Sequence, residues 1–139
     1  MNLEKQNKWI LGQEGLSRTL GMEFISTPEP DTAMARMKVD DRNKQPFGFL
    51  SGGATLALAE NLAGVASLAL CPGKICVGIS VSGHHVKAVA FGGIVTAFAR
   101  LKHKGRTLHE WHIDITDQNG ELISTVLVTN YVLTPRKNG

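Results

Sequence analysis

One acidic residue stands out as a candidate for chemistry. Glu60 sits inside the apolar, small-residue run Gly52-Gly53-Ala54-Thr55-Leu56-Ala57-Leu58-Ala59-Glu60-Asn61-Leu62-Ala63-Gly64-Val65-Ala66. An ionised carboxylate adds nothing to helix packing and is costly to bury without partners, so its presence there calls for a reason outside the core. Such a group can move a proton or attack an electrophile. The competing structural reading makes Glu60 and Asn61 the narrow wet stripe of an amphipathic helix. Just upstream, Ser51 carries a hydroxyl, but no histidine or acid at useful spacing marks it for activation, and a serine before a helix is first an N-cap. Gly52 and Gly53, taken alone, read as a tight entry that lets the helix pack closely. The histidines His84, His85, His103, His109 and His112 form no economical metal set. Strand alternation sends His109 and His112 to opposite faces, so no metal is expected.

The element that must hold Glu60 is one long helix starting at Gly52 and ending before Cys71-Pro72-Gly73, where proline and glycine argue against continuation. Trp9, Ile10, Leu16 and Leu20 give an apolar stripe to a polar opening cut by Gly12, Gly15 and Gly21, which predicts one or two short helices over residues 1–21. Met22 to Thr27 and Thr32 to Val39 read as strands separated by the turn Pro28-Glu29-Pro30-Asp31. Asp40 to Phe49 is a loop that delivers the chain to the long helix. After the helix the period becomes that of strands: Ile75 to His85, Ile94 to Lys104, Leu108 to Asp117 and Leu122 to Leu133. Gly92-Gly93, Lys104-Gly105-Arg106 and Asp117-Gln118-Asn119-Gly120 mark the turns, the last through an Asn-Gly pair that tolerates positive φ. The expected fold class is α+β, a long central helix wrapped by an antiparallel sheet of about five or six strands, in a single domain over 1–139. One helix covers only one face of such a sheet, which makes edge or face pairing with a partner attractive.

Composition narrows the function class. The 139 residues are 42% hydrophobic, enough for one domain with a core, and 15 basic against 12 acidic residues give a formal charge of +3. That mild, dispersed excess suits an anionic small molecule better than a nucleic acid, and no basic helix or aromatic-basic strand pattern is present. Cys71 and Cys76 are too few and too close to form a secreted disulfide scaffold and read as thiols. The opening Met1-Asn2-Leu3-Glu4-Lys5-Gln6 lacks a signal-peptide pattern, and Glu60 and Asn61 interrupt the longest apolar stretch, so a cytoplasmic protein with no membrane span is expected.

The stretch from Asn43-Lys44-Gln45-Pro46-Phe47-Gly48-Phe49-Leu50-Ser51 into Gly52-Gly53 and on to Glu60 resembles the signature of hotdog-fold acyl-CoA thioesterases. The branch it resembles contains 4-hydroxybenzoyl-CoA thioesterase and 1,4-dihydroxy-2-naphthoyl-CoA hydrolase. The similarity extends through Val77-Gly78, His84-His85 and the Asp117 turn. The resemblance implies hydrolysis of an acyl-CoA thioester with no cofactor beyond the coenzyme A of the substrate. It also implies a homodimer joined edge to edge, often paired again into a tetramer, with each active site between protomers.

By that resemblance Glu60 is the catalytic carboxylate, Gln45 is the loop glutamine near the thioester, and Gly52 is the helix-start glycine whose N–H polarises the carbonyl. The physics agrees, since the first N–H groups of a helix lack intrahelical acceptors and face developing negative charge. Glu60 would attack the carbonyl or activate a water. Ser51, Gly53, Asn61 and Ser82 fall at substrate-facing positions. Ser51 stands where the branch usually has histidine, Asn61 where it often has a small hydroxylic residue, and Ser82 where it commonly has asparagine. His85 resembles the histidine placed near the nucleotide or pantetheine arm. Lys87, Lys102, Lys104 and Arg106 lie near strand ends, where positive charge would meet the cofactor phosphates or merely keep an edge soluble. The alternative reading is a non-catalytic acyl-CoA or acyl-carrier thioester binding protein of the same fold, with Ser51 as the mark of lost hydrolysis.

Overall fold

The computed structural model describes residues 1–136, so the last three residues of the expected domain lie outside the described residues. Six strands, β1 (Met22–Ile25), β2 (Thr32–Lys38), β3 (Ile75–His85), β4 (Ile94–Lys104), β5 (Leu108–Thr116) and β6 (Leu122–Leu133), form one sheet in the order β1-β2-β4-β5-β6-β3. Every neighbouring pair is antiparallel. The helices α1 (Glu4–Leu11) and α2 (Leu16–Leu20) form the lead-in, and α3 (Gly52–Leu70) packs on one face of the sheet. This is the α+β hotdog fold, and the long helix has the limits expected from Gly52 and Cys71.

Three strands stop short of their expected ends, each for a local reason. β1 ends at Ile25 because Thr27 is drawn into the turn: its N–H donates to Met1 O and its hydroxyl bonds Thr32. β2 ends at Lys38 because the Val39 N–H leaves the ladder for Gly93 O. β5 ends at Thr116 because Asp117 Oδ1 accepts the N–H groups of Asn119 and Glu121, forming the turn itself. Only Gly120 there has positive φ, at 76°, so Asn119 is not in the left-handed region that the Asn-Gly reading allowed.

The core lies between α3 and the inner face of the sheet. Leu58 and Leu62 are fully buried against Trp111, Ile113, Ile115, Val126 and Val128, and each such leucine contributes about 2 kcal/mol relative to exposure. α3 is long and apolar enough to cross a bilayer by composition, yet half of it is buried here as the core helix. A polar hub is set into this core. Ser67 Oγ accepts Trp111 Nε1–H at 2.9 Å and Asn130 Nδ2–H at 3.0 Å, and lies 2.8 Å from His109 Nδ1. With two donors already on the oxygen, the serine proton goes to Nδ1, leaving the ring proton on Nε2, 3.8 Å from Cys71 Sγ. Burial, then the charges of Lys104 and His103, lower the His109 pKa and keep the ring neutral. His112 bonds Thr125 on the other face, as alternation requires.

The two sheet edges differ. β1 is short and shielded by the lead-in, whose Asn7 Oδ1 takes the Phe24 N–H at 2.8 Å. β3 is long, has its outer side open, and has no fully buried residue.

Candidate active site

The loop before α3 is shaped by Asn43. Its side chain accepts the Asp40 N–H at 3.0 Å and donates to Lys38 O at 2.8 Å and Leu20 O at 3.2 Å, while its carbonyl accepts the Ser51 N–H at 2.9 Å. These bonds fix the direction from which the chain enters the helix. Ser51 occupies the N-cap position with an extended backbone, but its hydroxyl makes no capping bond, contrary to the cap expected from sequence. The first turn closes through Thr55 N–H to Ser51 O at 3.1 Å, leaving the N–H groups of Gly52, Gly53 and Ala54 without an acceptor among the described residues. Uncommitted N–H groups at a helix start favour an anion or a carbonyl gaining negative charge.

Around that start lies a cavity of about 380 Å³, whose walls include Gln45, Gly52, Thr55, His85, Lys87 and Ser124. Gln45 Oε1 accepts the Phe47 N–H, which leaves the Nε2 donor uncommitted. His85 Nδ1 is 2.7 Å from Ser124 Oγ. A Cβ at Gly52 would come within 2.9 Å of His85 Nε2, so glycine is what lets the imidazole approach the helix start. Lys87 is held by Asp117 at 3.0 Å and by Glu121. Hydrogen bonds with Glu121, then with Asp117, raise the Lys87 pKa, and the Lys87 hydrogen bond holds the Asp117 carboxyl below the usual carboxylate range.

Glu60 lies elsewhere. It lines a second cavity of about 450 Å³ with Trp9, Ser17, Asn61, Cys76 and Gly78, and a shallower depression with Gly53 and Val81. Glu60 is eight residues from Gly52, about 12 Å along the helix axis. Its carboxylate rests on Gly78 of β3, where a Cβ would lie 2.8 Å from Oε2. The Asn61 amide is committed within the chain: Nδ2 donates to Ala57 O at 2.7 Å and Oδ1 accepts the Ser17 hydroxyl at 2.8 Å. Burial, with Cys71 nearby, pushes the Cys76 thiol up to about 11, so it lines this cavity as a neutral group.

One protomer therefore gathers Gln45, Gly52, His85 and Lys87 into one cavity and sets Glu60 and Asn61 in another. Ser51 and Gly53 line a depression shared with α2 and the Asn43 loop, and Gly53 also borders the depression that Glu60 lines. Ser82 pairs with Leu127 and is exposed on the sheet face away from α3, since the next residue, Gly83, is the one that packs on Leu56. Lys104 pairs with His109, near the C-terminal end of α3, and Arg106 follows in the next turn, both at the opposite end of the helix from Gly52. Sequence reasoning missed Asn43, Thr55 and Ser124, which shape the helix start, and Trp9 and Ser17, which wall the Glu60 cavity. Alternation along β6 puts Ser124 on the face of Val126 and Val128, but its pairing with His85 depends on the β3–β6 register. The roles of Asn43 and Ser17 rest on contacts across 23 and 44 residues, which no local pattern reports.

The Thioesterase superfamily profile matches residues 47–124. A protein of Deinococcus radiodurans described as a putative esterase is 42% identical over 120 residues, covering 85% of this chain and 74% of that protein. The 1,4-dihydroxy-2-naphthoyl-CoA hydrolase of Listeria monocytogenes is 35% identical over 124 residues, covering 88% and 99%. Among solved structures, a mutant thioesterase of Pseudomonas aeruginosa superposes with a TM-score of 0.88 at 32% identity, over 97% of this chain and 96% of that one. With the profile spanning more than half of the sequence and the fold matching end to end, this chain belongs to the hotdog-fold thioesterase superfamily, in the branch of the 1,4-dihydroxy-2-naphthoyl-CoA hydrolases, and is a thioester hydrolase.

Proposed function

We propose that the protein hydrolyses an acyl-CoA thioester to the free acid and coenzyme A, at sites assembled between two copies of the chain. The observation that carries this reading is the separation within one protomer: the carboxylate lies about two turns of helix from the N–H groups that would polarise a thioester carbonyl. Open edge strand β3 supplies the remedy. It touches Glu60 through Gly78 and the helix start through His85. Antiparallel pairing of two β3 strands about a two-fold axis near Val81 and Ser82 brings Gly78 of one copy opposite His85 of the other. Glu60 of one copy then faces Gly52 and Gln45 of the second. Phe47, 85% exposed in the protomer, gains a surface to cover in the same pairing. Two such dimers joining into a tetramer would cover further apolar surface on the outer face of the sheet, where Leu127 and Val77 are exposed.

In this arrangement the thioester carbonyl accepts the Gly52 N–H and the Gln45 Nε2–H, which hold the negative charge of the tetrahedral intermediate. Glu60 supplies the oxygen or the base. As nucleophile its Oε bonds to the acyl carbon, the C–S bond breaks, and coenzyme A leaves as a thiolate that takes a proton from solvent. Water then splits the mixed anhydride, returning Glu60 and the free acid. As a base Glu60 takes a proton from water as the water oxygen bonds to the same carbon, the C–S bond breaks, and the departing thiolate takes that proton from Glu60, restoring the carboxylate. Transfer of ¹⁸O from labelled enzyme or from labelled water distinguishes the two. Ser51, in the place of the branch's usual histidine, is read as shaping the entry to the helix. Two free thiols, Cys71 and Cys76, suit a cytoplasmic protein.

The test is Glu60→Gln, which keeps shape and removes charge. The variant is expected to stay folded and assembled, to bind acyl-CoA, and to lose at least roughly 100-fold in thiol release. Near-wild-type thiol release by well-folded variant protein defeats the mechanism, and a monomer in sedimentation under assay conditions defeats the shared site.

A further inference from the structure

The lead-in helices precede the part of the chain matched by the family profile, which begins at residue 47, yet they wall the cavity that opens from Glu60. We infer that α1 and α2 form the acyl-binding wall and that Trp9 is a specificity-determining residue selecting an apolar acyl group of medium length. This rests on the acyl-CoA reading above and names the tail of the substrate.

From Glu60 the cavity runs along α3. Gly64 is one turn on, and a Cβ there would meet nothing within 4 Å, so the cavity is open at that turn. Val65 and Leu68 continue the wall, with Trp9 and Ile10 of α1 opposite. From Glu60 to Leu68 is eight residues, about 12 Å of helix. An extended chain advances roughly 1.2 Å per bond, so a tail of about eight carbons spans most of that length. The wall offers little to a polar tail. Ser17 and Asn61 spend their polar atoms on one another and on Ala57 O, and Lys74 at the far rim donates to Thr134 at 2.7 Å.

The wall is also fixed in place. The Ser17–Asn61 bond ties α2 to α3 beside Glu60, Asn7 ties α1 to β1, and the N-terminal ammonium donates to Thr27 O at 2.6 Å. Held this way, Trp9 nonetheless leaves 57% of its surface in water. An exposed indole on a tethered helix, facing an apolar cavity, gains burial from a bound apolar tail.

The two tryptophans make the test direct, because Trp111 is fully buried and only Trp9 can report on the cavity. The probe is S-octyl-coenzyme A, a thioether that cannot be hydrolysed, compared with S-ethyl-coenzyme A. Binding of the octyl compound, followed by calorimetry, is expected to shift tryptophan emission to the blue, the ethyl compound to bind without that shift, and Trp9→Phe to abolish it. In turnover, Trp9→Ala and Gly64→Leu are each expected to lower the octanoyl-over-acetyl ratio of kcat/KM by about 10-fold, the scale of pocket discrimination between apolar groups. Octyl binding with no change in Trp9 emission, or a ratio within about twofold of wild type in both folded variants, overturns this inference alone. Absence of both thioether binding and thiol release overturns the acyl-CoA reading and this one with it.

Discussion

Gly78→Ala tests the placement of the Glu60 carboxylate without altering Glu60. A Cβ at Gly78 would lie 2.8 Å from Glu60 Oε2, 3.1 Å from Cδ and 3.2 Å from Cγ. Non-bonded contact is comfortable from about 3.5 Å, so the carboxylate must retreat by roughly 0.5–0.7 Å or turn to another rotamer. A shift of about 1 Å in a reacting group costs about 100-fold, so kcat is expected to fall roughly 10- to 100-fold. Stability moves the other way. Gly78 has no positive φ, and the crowded atoms are the end of a flexible side chain, so alanine is expected to stabilise the fold by about 0.4–1 kcal/mol through the unfolded chain. The assay is thiol release under saturating acyl-CoA, beside a thermal melt and a sedimentation measurement, since Gly78 lies on the edge proposed to pair. A folded, assembled variant with kcat within about twofold of wild type refutes the reasoning that Gly78 exists to seat the carboxylate.

Other expectations follow from the same geometry. Because the Ser51 hydroxyl makes no capping bond, Ser51→Ala is expected to change stability by less than about 0.5 kcal/mol, and a denaturant-measured loss above about 1 kcal/mol would show that it does cap. Ser67→Ala strips Trp111, Asn130 and His109 of a shared buried partner and is expected to cost about 3 kcal/mol; an unchanged melting temperature would mean the hub contributes nothing. The Asp117 pKa is lowered in the fold, so its pairing with Lys87 is fully present above the ordinary carboxylate value of about 3.9 and is lost as pH falls through the lower folded value. Lys87 is raised, so the same pairing is lost only as pH climbs through its folded value, above 10.5. Lys87→Met is therefore expected to flatten the acid limb of stability against pH, and an acid limb identical to wild type by denaturant melts would exclude the pair as its source.

Local pattern alone gives the secondary structure and singles out Glu60 as the anomalous carboxylate. The apolar run from Gly52 needs a helix, Pro72-Gly73 stops it, and alternation with β-branched residues makes β3 to β6, because these patterns act over a few residues. Glu60 was legible for a related reason: a charge among alanines and leucines is locally anomalous. The rest depends on how the elements pack together. That Glu60 and Gly52 fall in different cavities follows from about 12 Å of helix combined with the position of β3 at the sheet edge, and strand order is not written in any one segment. Ser82 faces away from α3 because the register around the bulge between Gly78 and Ser80 sets which residues point inward, and a shift of one residue exchanges the faces. Ser51 loses its expected capping bond although its position is the capping one, since the side-chain rotamer depends on surroundings that local propensity does not describe. Asn61 turns from substrate to Ser17, and Trp9 comes to line the same cavity as Glu60, through contacts between segments some fifty residues apart in sequence, which only the folded chain brings together.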